Sequence, residues 1–279
     1  MKKSICILLS AFLTLSALPL NTFANDKIIA NEYKNGTNYV TVEKSVEENM
    51  SDREKAAVEK FNELYKNGKI PENIAESELY DIVNNLVYGE LYQQGQLTDK
   101  DREMISLAAL TTLGTTTILK THVYSALNAG LTPVEITETV YHCAPYVGAA
   151  KSLEAINVVN DVFKEKGIKI PESQATVTEE SRFDDGSSAQ TKLFGNLGDT
   201  KPADGEVRLG RSFLPDYCFG DFYTRKGLTL EQHELLTFGF VLQLLEVLNL
   251  NLQVIPTVIK MLANLKIICL KFWLILCHI

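Results

Sequence analysis

Apolar residues recur at three- and four-residue spacing through most of this chain, and strand-like alternation is nearly absent, so the pattern predicts an all-α fold. Residues 25–50 are polar, carry an Asn35-Gly36 turn signal, and predict an irregular arm. Ser51-Asp52-Arg53-Glu54 has the order of a capping box and opens a helix through Leu64 and Tyr65. Pro71 and Glu72 mark the next break. From Ala75 to Gln93, Leu79, Ile82, Val83, Leu86 and Leu91 return at helical spacing. Thr98 caps a helix with Met104, Leu107, Ala108 and Leu113 on its apolar side, and Gly114 stops it. A further helix runs from Thr116 to Asn128 and ends at Gly130. Thr132-Pro133-Val134-Glu135 combines an N-cap, an N1 proline and an N3 glutamate for the next, and another spans Ala149 to Lys166 before Gly167.

The punctuation divides the chain. Residues 51–167 form a first helical unit, and 168–212, rich in proline, glycine, serine and aspartate, read as a linker with at most short structure. Beyond it, Phe219-Gly220-Asp221-Phe222-Tyr223 repeats Tyr88-Gly89-Glu90-Leu91-Tyr92, Leu228-Thr229 repeats Leu97-Thr98, and Glu234 repeats Glu103, all 131 positions apart. One constant offset points to a tandem duplication whose second copy occupies 213–241 and breaks off. Such recurrence within one chain makes Gly89, Gly220, Tyr92 and Tyr223 packing requirements of the fold.

Composition narrows the function classes. Hydrophobic residues make up 46% and charged residues 22%, as in an ordinary globular protein. Lys2 and Lys3, the apolar run from Ile5 to Leu20 and the small residues of Thr22-Phe23-Ala24 mark 1–24 as a signal peptide, which predicts a secreted or periplasmic protein. Its removal takes away two lysines and no acid, so the formal charge moves from −8 to about −10, which opposes binding to nucleic acid or an anionic membrane. The five cysteines show no CxxC pair and no recurring spacing, and the four histidines lack metal-ligand spacing. No phosphate loop or nucleophilic triad appears, so no cofactor and no metal are expected.

The phrases LTDKDREMISLAALTTLG, KTHVYSALNAGLTPVEI and APYVG resemble the carboxymuconolactone decarboxylase family, within the alkylhydroperoxidase D-like superfamily. The resemblance covers residues 78–166 well and 213–241 weakly. It implies an all-helical fold with an antiparallel helical hairpin and assembly into trimers or hexamers. The peroxidase branch carries a glutamate, a CxxC pair and a histidine. Counted back from His122, the thiol positions fall on Thr115 and Ile118, while Glu103 and His122 are present. A hydroxyl cannot replace a thiolate as the attacking and disulfide-forming group, so thiol peroxidase chemistry is not expected here. What remains is Glu103 beside His122, a pair suited to acid/base transfer in decarboxylation of a small carboxylated lactone or related acid. The residues alone fit a first-turn charge and a core histidine better, and only the resemblance brings the catalytic reading level with it. His142 and Tyr146, with Cys143, flank Pro145 and are candidates either for the same pocket or for core packing. The alternative function is a non-catalytic oligomeric scaffold that binds a small molecule or partner, or an inactive truncated product.

Residues 242–279 fit neither unit, because the text from His122 to Tyr146 has no counterpart there. If the third base of each codon begins a new triplet, histidine, asparagine, glycine, proline and tyrosine become available 132 positions beyond His122, Asn128, Gly130, Pro145 and Tyr146. The aberrant tail therefore reads as a frameshift near residue 243. The competing reading is a membrane anchor over Leu262 to Ile279, which Lys266 and Lys271 interrupt at a cost of about 2.5–3.5 kcal/mol for a mid-bilayer lysine.

Overall fold

The computed structural model describes residues 27–34, 36–195 and 213–247. The expected signal peptide and nearly all of the aberrant tail lie outside these residues. The fold is all-α in class: helices α1 (Asp52–Tyr65), α2 (Glu72–Ala75), α3 (Glu78–Leu86), α4 (Asp99–Leu113), α5 (Thr116–Asn128), α6 (Pro133–Val147), α7 (Ala149–Glu165), α8 (Arg182–Phe194) and α9 (Leu230–Val247). Two π-helical segments, π1 (Val87–Leu91) and π2 (Leu214–Tyr223), precede α4 and α9. None of the helices among the described residues is long and apolar enough to cross a membrane.

The helix signals of the first unit act as the sequence predicts. Ser51 with Glu54, Thr98 with Asp101 and Thr132 with Glu135 all close reciprocal capping boxes, and Gly114 ends α4 in the left-handed conformation at φ +74°. Helix α4 is the centre of the molecule. Its residues from Arg102 to Thr112 are all buried, because α5, α6, α7 and α9 pack around it. Met104, Leu107 and Leu110 meet Val123, Ile136, Val140, Val159 and Phe163, and from α9 Leu236 and Phe240 complete the same core.

Two segments depart from the sequence pattern. Residues 25–50 are not an irregular arm: β1 (Lys27–Lys34) and β2 (Thr37–Glu43) form an antiparallel hairpin, and β3 (Ile70–Pro71) adds a third strand. The period-two signal is only Val40 and Val42, too short to register, yet both are buried against Phe61, Leu64 and Ile70. The stretch 168–212 is likewise not only a linker, since α8 lies within it. Gly186, which reads as a turn residue, instead permits a close crossing. A Cβ there would fall 2.0 Å from the Pro215 carbonyl oxygen and 2.6 Å from the Gly220 nitrogen.

The crossing of α8 with π2 reproduces that of α1 with π1. At Gly89 a Cβ would stand 2.4 Å from the Arg53 carbonyl oxygen, and at Gly220 it would stand 2.4 Å from that of Arg182. Arg53 pairs with Glu90 at 2.9 Å, and Arg182 pairs with Asp221. The two glycines recur because two backbones touch there.

Candidate active site

Glu103 sits in the second turn of α4, fully buried, and His122 in the second turn of α5. The hairpin made by these helices brings them together: His122 Nδ1 lies 3.0 Å from Glu103 Oε2. A carboxylate accepts, so Nδ1–H donates and Nε2 is left as the nitrogen available to other groups. The other carboxylate oxygen, Oε1, accepts from the Tyr92 hydroxyl at 3.0 Å. Burial first, and then the nearby Glu103 charge, push the Tyr92 phenol well above its usual range, so it stays a donor. The Arg102 guanidinium lies 4.7 Å over the Tyr92 ring and donates to the Gln94 carbonyl at 2.6 Å.

His122 and Tyr92 line a cavity of about 460 Å³, bounded by α2, α3, π1, β3 and the faces of α4 and α5. That is within the usual range of small-molecule sites, about 300–1,000 Å³. Glu103 stands behind its two partners and does not line the space. Tyr65 and Tyr88 share a hydroxyl–hydroxyl hydrogen bond of 2.6 Å on the same wall, and Tyr65 meets the His122 ring edge-on at 6.3 Å. Desolvation raises both phenols well above their ordinary range. The wall is therefore aromatic and uncharged, with one imidazole set into it.

A sequence model of the carboxymuconolactone decarboxylase family matches residues 77–161, the stretch that holds Tyr92, Glu103 and His122. This stretch of the chain is similar to that family. Among relatives, the 4-carboxymuconolactone decarboxylase of Acinetobacter baylyi (strain ATCC 33305 / BD413 / ADP1) is 29% identical over 91 residues, 33% of this chain and 68% of that protein. The nitrosuccinic acid decarboxylase npaB of Metarhizium robertsii (strain ARSEF 23 / ATCC MYA-3075) is 29% identical over 97 residues, again 33% of this chain and 68% of the relative.

Within this family frame the thiol positions are occupied by other chemistry. Thr115 is exposed at the start of α5, and Ile118 is part of the cavity wall. Cys143 and Cys218 are buried and unpaired. Burial alone pushes the Cys143 thiol far above its ordinary range, which suits a small core residue.

His142 and Tyr146 do not line this cavity. They belong to a separate buried cluster between α6, π2 and α9. His142 Nε2 lies 3.0 Å from both the His233 carbonyl oxygen and Thr237 Oγ1, and its Nδ1 lies 3.0 Å from His233 Nδ1. Tyr146 and Tyr223 meet at 2.9 Å through their hydroxyls, and Tyr223 donates to Glu234 at 2.7 Å. This end of α6, which contains Pro145, packs against π2 and α9.

Tyr92 is the residue that sequence reasoning misplaced, as packing alone. The signal was there: Tyr92 and Glu103 stand eleven apart, and so do Tyr223 and Glu234, and both pairs are hydrogen-bonded. Among the described residues no group of three or more His, Cys, Asp or Glu is arranged to hold a metal ion.

Proposed function

We propose that this protein is a cofactor-free, decarboxylase-like enzyme acting on a small carboxylated lactone or related acid. The reading is supported by one arrangement above all: a buried carboxylate that accepts from an imidazole and a phenol, both of which face one cavity. The decarboxylase names of its relatives point the same way. In the proposed step the bond between the substrate's ring carbon and its carboxylate breaks and carbon dioxide leaves. The electron pair stays on the ring carbon, spread into the lactone system, and the protonated His122 delivers a proton there from Nε2. Glu103 touches no substrate. It holds Nδ1–H, and so keeps the ring turned and stabilises its charged form.

General acid/base groups of this kind contribute about 10²–10⁴-fold. Carbon dioxide release from a carboxylated γ-lactone is therefore expected to fall by that factor in His122→Ala. It should fall less in Glu103→Gln, which keeps a hydrogen-bond acceptor but loses the charge. Unchanged turnover in His122→Ala would remove the enzyme in favour of a binding scaffold.

We also infer that the chain is a tandem duplication, exported through residues 1–24 and assembled into a homo-oligomer of trimeric or hexameric type. The paired glycine crossings and paired Tyr–Glu bonds support the duplication and would start the second copy at α8. Sequencing the gene around codon 243 tests whether the second copy is interrupted by a frameshift. Light scattering of the purified protein tests the oligomer.

A further inference from the structure

Three residues that line the cavity of the first unit have counterparts in the second. Val87, Tyr92 and Ser106 border the open space, and Cys218, Tyr223 and Thr237 stand 131 positions after them. The second set closes on a side chain instead. The Tyr146 hydroxyl lies 2.9 Å from that of Tyr223, 3.4 Å from Cys218 Sγ and 3.4 Å from Thr237 Oγ1. Positions that face a cavity in one repeat therefore all touch one phenol in the other. That phenol is borrowed: Tyr146 belongs to α6 of the first unit. It is only partly buried, and it stands at the helix end between Pro145 and Gly148, whose φ is +92°.

The direction of the hydrogen bonds defines what this space accepts. Tyr223 gives its one hydroxyl hydrogen to Glu234 at 2.7 Å, so toward Tyr146 its oxygen accepts and the Tyr146 hydroxyl donates. Cys218 donates to the Tyr146 oxygen in turn. A neutral hydroxyl satisfies both contacts. A ketone or lactone oxygen has no hydrogen to give Tyr223, and an anionic oxygen would face Glu234 across a single hydroxyl. Burial holds the Tyr146 phenol well above its ordinary range, in keeping with a neutral occupant. Among the described residues no imidazole bonds to Glu234, because His142 is turned to His233 and Thr237. The space can bind a ring, and it lacks the partner that Glu103 has in His122.

We propose that the second unit carries a latent binding site for a planar ring bearing one neutral hydroxyl, a phenol or an enol, and that Tyr146 is its built-in occupant. The inference rests on the duplication, which supplies the correspondence between the two sets of positions. Tyr146 is then an autoinhibitory contact: a ligand of this class enters as the end of α6 gives way, and the site is closed again when Tyr146 returns.

Tyr146→Gly removes the occupant. The probe is para-fluorophenol, close in shape to the deleted side chain, and fluorobenzene is the control that lacks the hydroxyl. Binding to the full chain is read by fluorine NMR, which separates one bound environment from another. The glycine variant is expected to show a bound para-fluorophenol signal that the parent lacks. Fluorobenzene should bind there at least tenfold more weakly, since a hydrogen bond to an otherwise unsatisfied buried group is worth about tenfold. Adding Tyr223→Phe should weaken para-fluorophenol about tenfold and leave fluorobenzene unchanged, which assigns the new signal to the second unit. A folded glycine variant with no new signal overturns the proposal, as does a new signal that fluorobenzene gives equally or that ignores Tyr223→Phe. Should the glycine variant not fold alone, para-fluorophenol must restore its circular dichroism, and failure to do so overturns the proposal as well. Turnover through His122 enters none of these readouts, so the decarboxylase reading can fail without touching this one. A gene whose shifted frame past codon 243 holds no family-like text would remove the interrupted second copy and leave the titration to stand by itself.

Discussion

Replacing Gly89 by alanine tests whether the crossing of α1 and π1 sets both stability and the site. The new methyl would start 2.4 Å from the Arg53 carbonyl oxygen and 2.9 Å from Arg53 Cγ. A carbon–oxygen contact relaxes to about 3.3 Å, so the two backbones must part by about 0.9 Å. The obstacle is main chain, which cannot swing aside, and the cost belongs at the upper end of the range for overpacking, about 3 kcal/mol. For a chain of this length that lowers the melting temperature by about 6–12 °C. The same displacement acts on Tyr92, three residues on. Its 3.0 Å bond to Glu103 would stretch beyond about 3.5 Å and cease to be one, so turnover falls as well. Gly220→Ala supplies the comparison, because its methyl meets the Arg182 carbonyl at the same 2.4 Å but lies in π2. Thermal unfolding by circular dichroism and carbon dioxide release, measured on both variants, should show similar destabilisation with loss of turnover in Gly89→Ala. A melting temperature within about 1 °C of the parent would refute the reasoning, given the overpacking cost expected.

Arg225 donates from Nε and Nη2 to the two oxygens of Glu138, which is 2% exposed, at 2.6 and 2.9 Å. Arg225→Met strands that carboxylate and should cost about 3–5 kcal/mol in urea unfolding, whereas Arg225→Met with Glu138→Leu should recover most of it; a single-variant loss below about 1 kcal/mol contradicts this. Burial pushes the Cys218 thiol up to about 11 and that of Cys143 higher still, so at pH 8 iodoacetamide should leave both unmodified in the folded protein, as read by peptide mass spectrometry. Rapid labelling of either would show the core to be open there. Burial lowers His142 well below its usual range and His233 to about 4, so both are neutral in the fold and charge first when the chain unfolds. Stability is then full above pH 6.5 and declines as the pH falls toward 4, by on the order of 3 kcal/mol for His233 alone. Desolvation raises the Glu234 carboxyl and acts with the opposite sign, recovering part of the loss near the bottom of that window. Urea midpoints that do not change between pH 7 and pH 5 would count against it.

Helices α4 to α7 were legible because their ends are written in short-range chemistry. Thr98, Gly114, Thr132 and Gly167 act within a turn of their own position. The pairing of Glu103 with His122 followed from family resemblance and not from periodicity, since α4 is buried on nearly all sides and offers little amphipathic contrast. What stayed hidden depends on distant partners. Val40 and Val42 become a strand because α1 and Ile70 cover them. Gly186 sits in a helix because Gly220 crosses it, and a glycine in an acidic, serine-rich run looks like a turn until that neighbour is known. Of the two readings the sequence left open for His142 and Tyr146, core packing holds, but its partners stand some 80 to 90 positions later and no local signal names them.

Leu236 and Phe240 of α9, both fully buried, close the apolar face of α4. They make the first unit a tenant under a roof built by the second. A chain interrupted upstream of Leu230 would keep every residue that touches the proposed substrate and still lose its weatherproofing, and the bared face would seek another copy or clump. What the second half must preserve, then, is a lid of two side chains more than a working centre of its own.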